Sequence, residues 1–170
     1  MKILITVFIL GFGIISQAQK TSKDVKSIEG ITNLLLDILS GPQGEKRDWE
    51  LYKSLFTEGA TMHIVNLNAP IGKQMRTIPV DEFVETYSAA YSRDGFLEES
   101  TGLVVNEFNG VANAFQSFYC KNLIGTYENR GINTYQLVFA DDRWWITNIA
   151  FANETEDSKV PEKYLEVEKK

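Results

Sequence analysis

One cysteine, Cys120, and one histidine, His63, are all that this 170-residue chain has of the two most versatile catalytic and metal-binding side chains. A lone cysteine forbids any intramolecular disulfide, so the stapled frameworks of small secreted proteins are excluded. Stability must come from a packed core, and a chain of about 150 residues is long enough to bury one. A lone histidine removes histidine-rich metal sites and any reaction that needs a histidine pair. Basic runs are also missing. With 17 basic against 23 acidic residues the formal charge is −6, which argues against nucleic acid and anionic membrane as partners. The glycines do not fall in a phosphate-binding spacing, no serine sits in a nucleophile elbow, and no stretch alternates oxygen ligands as a calcium loop does. No cofactor and no metal is expected.

The N-terminus is where the chain is rich. Lys2 precedes the uncharged run Ile3 to Ile15, which is too short to span a membrane, and Ser16-Gln17-Ala18 offers small residues at the two positions a signal peptidase reads. Residues 1–18 are expected to be a cleaved export signal, placing the mature protein in the periplasm or outside the cell with no membrane attachment. Cleavage removes only Lys2 among the charged residues, so the charge moves from −6 to −7.

Beyond the signal, hydrophobic periodicity divides the chain. Val25 to Leu39 puts Val25, Ile28, Ile31, Leu35, Ile38 and Leu39 on one helical stripe, with Thr21 and Asp24 in a loose capping pattern and Gly41-Pro42 as the stop. Asp48 is a fitting N-cap for a second helix carrying Trp49, Tyr52, Leu55 and Phe56, with Gly59 at its C-terminal end. Thr61 to Leu67 alternates as a strand does, placing Met62 and Ile64 opposite His63 and Val65. Gln74 to Ile78 reads as its short partner. A third helix opens at Pro79, with Asp81 and Glu82 in the first turn and a stripe of Val80, Phe83, Val84, Tyr87 and Tyr91. The strands Val104–Phe108, Val111–Tyr119, Ile132–Ala140 and Arg143–Ala152 follow, joined by Asn109-Gly110, an irregular loop and Asp141-Asp142. Residues 19–154 form one domain, and 155–170 are a charged C-terminal tail.

Helices followed by a meander give the α+β class, with a curved antiparallel sheet wrapped round helices into a cone. This order resembles the nuclear transport factor 2-like superfamily, the cystatin-like cone fold that includes SnoaL-like domains and ketosteroid isomerase. Val105-x-x-Phe108-Asn109-Gly110-Val111-Ala112, Arg130-Gly131-Ile132-Asn133, Gln136-Leu137 and Arg143-Trp144-Trp145-Ile146 are similar to a bacterial branch of that superfamily. The likeness spans about Val25 to Glu154. It implies a cone with a pocket at its open end, and for activity it implies little, because this fold hosts isomerases, cyclases, dehydratases, binding modules and assembly domains.

Ketosteroid isomerase would require a carboxylate base near the end of the first strand, a tyrosine on the first helix and a second acid deep in the pocket. The first strand offers His63 and Asn66, the first helix has no tyrosine, and the strands Val111–Lys121 and Ile132–Ala140 contain no acid. That activity is not expected. Cys120 reads as a buried small hydrophobe. Three hypotheses remain. In the first, the exported cone binds a small, mainly apolar molecule and forms a homodimer through its sheet. Candidate lining residues are Tyr91, Phe115 and Trp145 from the aromatic set and Asn113, Ser117, Asn133, Gln136 and Asn148 from polar strand positions, some of which must face inward. In the second, a SnoaL-like enzyme uses His63 as base with Tyr87 or Tyr119 polarising a carbonyl or hydroxyl, which requires His63 to point into the pocket. In the third, the domain serves assembly alone, and its cone is filled.

Overall fold

The computed structural model describes residues 24–165. The expected export signal, Thr21 of the expected cap, and the last five residues lie outside them.

Helix α1 (Ile28–Leu39) presents Ile31, Leu35 and Leu39 to the core together with Ile28, Leu34 and Ile38. It starts three residues later than periodicity suggests, because Ser27 supplies the cap: its hydroxyl accepts from the Gly30 N–H at 3.0 Å. Val25 stays buried ahead of the helix, and its carbonyl accepts from the Trp144 N–H. At the other end the buried Arg47 guanidinium donates to the carbonyls of Leu39, Gly41 and Glu45 at 2.7–2.8 Å, and to that of Tyr91 at 3.2 Å. One cation thereby satisfies the orphan carbonyls at the end of α1 and ties them to the third helix.

Helix α2 (Trp49–Lys53) is a single turn and a half capped by Asp48, whose carboxylate accepts from the Leu51 N–H at 2.9 Å. It ends at Ser54, so Gly59 is not its C-cap. Gly59 instead lies inside β1 (Phe56–Val65) at φ +74°, where the register against the neighbouring strand shifts between Phe56 and Thr61. A positive φ at a strand irregularity is a bulge, and glycine is the residue that takes it without strain. Strand β2 (Met75–Pro79) pairs antiparallel with β1, and α3 (Val80–Asp94) follows with Pro79 at its cap.

The remaining strands are β3 (Phe96–Phe108), β4 (Val111–Asn122), β5 (Glu128–Ala140) and β6 (Arg143–Asn153). The six strands form one sheet in the order β2-β1-β6-β5-β4-β3. The sheet is mixed, because β1 and β6 run parallel, which departs from the antiparallel expectation. The two hairpin turns behave as their residues require: Asn109 and Gly110 have φ of 46° and 82°, and Asp141 and Asp142 have φ of 52° and 60°. Further register shifts between Ser100 and Gly102 and between Gln136 and Leu137 bend the sheet round α1 and α3. The class is α+β, as expected.

Pairing fixes the faces. Tyr135, Leu137, Ala112, Ala114, Gln116, Ile146 and Ile149 point to the helices and are buried. At the closed end, the Tyr135 hydroxyl donates to Gln116 Oε1 at 2.8 Å, and Gln116 Nε2 donates to Asn33 on α1 at 2.9 Å. The C-terminal segment is not a free tail throughout. A 3₁₀ turn at Glu162–Tyr164 lies on the outer sheet face, where the Tyr164 ring stacks on Phe115 at 5.2 Å and its carbonyl accepts from the Ser117 hydroxyl at 2.7 Å.

Candidate functional site

At the wide end, between α1, α3 and the concave face of the sheet, side chains leave a cavity of about 200 Å³. Leu35 and Leu39 from α1, Met62 from β1 and Ile149 from β6 form its aliphatic wall. Seven aromatic residues make up most of the rest: Tyr52, Phe83, Tyr91, Phe96, Phe118, Tyr127 and Phe151. The cone is therefore open, where the assembly hypothesis expected it filled.

One charged side chain interrupts this surface. Glu98 on β3 sits opposite Cys120 of β4 in register, and both line the cavity. Asn133 on β5 donates through Nδ2 to Glu98 Oε1 at 3.0 Å. The Glu98 backbone is pinned to α1 as well, with its N–H donating to the Ser40 hydroxyl at 2.9 Å. Burial pushes the Glu98 carboxyl up to about 7, and the Asn133 hydrogen bond opposes that rise only in part. Burial likewise holds the phenols of Tyr52, Tyr91 and Tyr127 above their ordinary range, and pushes the Cys120 thiol up to about 12. At the rim, Asn153 Nδ2 donates to the Tyr127 hydroxyl at 3.1 Å.

Gly131 makes this wall possible. A Cβ at that position would lie 2.6 Å from the tip of the Phe118 ring and 2.3 Å from the Ala152 carbonyl oxygen. Glycine here lets Phe118 lie flat against β5 and form part of the cavity surface.

This arrangement of sheet, helices and cavity has counterparts among solved structures. A protein provisionally assigned as a scytalone dehydratase from Novosphingobium aromaticivorans superposes with a TM-score of 0.59, at 13% identity, over 85% of this chain and 93% of that one. A nuclear transport factor 2-like protein from Streptomyces avermitilis, provisionally assigned as a dehydratase, gives 0.57 at 12% identity, over 78% and 97%. A protein of unknown function with a cystatin-like fold from Nostoc punctiforme gives 0.57 at 11% identity, over 76% and 90%. The fold is the nuclear transport factor 2-like cone. No protein-family model and no curated protein matches the sequence. Identities this low establish the cone and say nothing of what this one does.

Within the nuclear transport factor 2-like cone, the residues singled out from sequence separate into two groups. Tyr91 and Asn133 line the cavity. The others do not. His63 pairs with Thr77 and Ala150 across β1 and points away from Met62, to the outer face, where Nδ1 lies 2.8 Å from the Thr77 hydroxyl. Tyr119 is also on the outer face, donating to Glu128 at 3.0 Å. Tyr87 packs against Phe83 with ring centroids 5.0 Å apart, outside the cavity. The base and phenol that the enzyme hypothesis requires are thus not brought together.

Asn113 and Gln136 face each other across β4 and β5 on the outer surface, joined by a 2.6 Å hydrogen bond. Asn148 donates to Thr61 beside them at 3.0 Å. Trp145 lies under the Arg143 guanidinium, 3.9 Å from its ring centroid, and Phe115 and Ser117 are covered by the C-terminal turn. These polar side chains satisfy one another across the strands, which explains their presence without a ligand.

Glu98, Tyr52, Tyr127 and Asn153 also line the cavity and are not among the residues singled out from sequence. The segment Phe96 to Gly102 carries Glu98, Glu99, Ser100 and Thr101 in succession and shows no apolar alternation, yet it is the first half of the 13-residue strand β3. The local signal is a mismatch across the two-residue turn: Val104–Phe108 offers five residues to the nine of Val111–Tyr119, which leaves the hairpin room to extend ahead of Val104.

Proposed function

We propose that the cone binds a small, mainly apolar molecule that carries one polar group, held at Glu98 and Asn133. The observation that carries this reading is a single hydrogen-bonded carboxyl–amide pair set in an aromatic cavity. Pockets that bind small molecules combine an apolar lining with a few convergent polar groups in this way. A cavity of about 150 Å³ accommodates benzene, so the roughly 200 Å³ here suits a six-membered ring with a short substituent. Native mass spectrometry against a panel of such compounds tests the reading. It predicts one bound molecule per chain, lost when the cavity is filled by Ile149→Trp in a variant that still melts cooperatively. Binding that survives filling would contradict it.

The second reading is an acid–base enzyme, in which Glu98 takes the proton-carrying role expected of His63. It is favoured by a carboxyl that titrates near neutrality inside a ligand-sized cavity. Export remains part of the proposal: the sequence pattern supports cleavage before Gln19, and mass spectrometry of the protein recovered from expressing cells should return a chain beginning there.

A further inference from the structure

We infer that the polar group of the ligand is a protonated amine, so that the cone is a receptor for small aromatic or alicyclic ammonium ions. This inference rests on the ligand-binding reading above and names the ligand class. Among the residues lining the cavity, Glu98 alone carries a charge, and no lysine, arginine or histidine is among them. Among the described residues no ion pair includes Glu98. Its only side-chain donor among the described residues is Asn133, which hydrogen-bonds Oε1 at 3.0 Å, and no donor there bonds Oε2.

An uncompensated carboxylate is costly to enclose, and the cavity supplies nothing to compensate it. An ammonium group would supply the missing charge at Oε2 and set its remaining hydrogens against the surrounding ring faces. Aromatic surfaces attract cations through their quadrupoles, more strongly when water is excluded. An anionic ligand would meet a like charge with no cation to offset it. A neutral acceptor such as a ketone could bind only while Glu98 keeps its proton.

These alternatives differ in their response to pH. The titratable groups facing Glu98 are Tyr52 from α2, Tyr91 from α3, Cys120 from β4, Tyr127 from the β4–β5 turn and Tyr135 from β5. Burial keeps all five protonated through neutrality, while α1, β1 and β6 contribute leucine, methionine, isoleucine, phenylalanine and asparagine only. Between pH 5 and 9 the cavity therefore changes charge at Glu98 alone. An ammonium ligand binds the ionised form, so its affinity rises as that form is populated.

The test uses calorimetric titration of the purified chain with benzylamine, benzyl alcohol and benzoate, matched in ring and differing in charge. At pH 8 benzylamine is expected to bind at least about tenfold more tightly than benzyl alcohol, with benzoate weaker still. Its affinity should rise by about tenfold from pH 6 to pH 8, the factor set by ionisation of a group at about 7. Glu98→Gln should abolish the preference for benzylamine over benzyl alcohol and its rise with pH, with the melting temperature confirming that the variant folds. Benzyl alcohol or benzoate binding as well as benzylamine, or a benzylamine affinity that falls with pH, overturns the amine inference and leaves the ligand-binding reading standing. Failure of all three to bind overturns both.

Discussion

Glu98 keeps its proton up to about 7 in the folded chain, whereas an exposed glutamate loses it near 4.5. Between those values the folded state holds a proton that the unfolded state has released, so stability falls as pH rises through this window and levels off above it. The displacement corresponds to roughly 3 kcal/mol, an upper figure given the polar neighbour and the open mouth. A glutamine keeps the shape and still accepts from Asn133, but it carries no charge to enclose. Glu98→Gln should therefore stabilise the ligand-free chain by about 2–3 kcal/mol at pH 8 and by nearly nothing at pH 4.5, read from denaturant titrations at the two values. Equal effects at both would mean that Glu98 is well solvated.

At the scale of elements, what could be read in advance was whatever a single segment decides for itself. The α1 stripe follows the 3.6-residue period, and the Asn109-Gly110 turn needs positive φ at both positions; each is legible locally. Faces and strand ends are not. Alternation separates Asn133 from Thr134, yet only the helices packed on one side decide that Asn133 is inside and Asn113 outside. The polar first half of β3 becomes strand because β4 supplies its ladder partners from Phe118 to Asn122, and with it Glu98 enters the site. Gly131 is the matching case on β5: its absence of a side chain makes sense only once Phe118 and the Ala152 carbonyl of β6 lie against it. Gly131→Ala should cost about 1–3 kcal/mol, because the added Cβ meets the Ala152 carbonyl oxygen of β6 as well as that ring. It should also weaken binding in the cavity, because Phe118 is part of its wall. Unaltered stability would contradict the close packing of both the ring and β6 on Gly131.

Over the whole molecule the two sheet faces have separate work. The concave face holds the core and the cavity, while the outer face carries paired polar side chains and the docked C-terminal turn. The stack of Tyr164 on Phe115 is the aromatic part of that docking, and such a pair contributes about 0.5–1.5 kcal/mol beyond its buried area. Tyr164→Ala should lower stability by about 1 kcal/mol and leave ligand affinity unchanged, since the turn lies on the face opposite the cavity. A loss of affinity would show that the two faces communicate.

The central claim, that the wide end of the cone is a ligand site with Glu98 at its polar pole, is tested most directly by methyl-labelled NMR during titration with benzylamine at pH 8. The account predicts saturable shifts at Leu35, Leu39, Met62 and Ile149, which line the cavity, and none at Val104 or Val111 on the exposed outer sheet. Shifts confined to the outer sheet, or none at the four lining methyl groups, would contradict it.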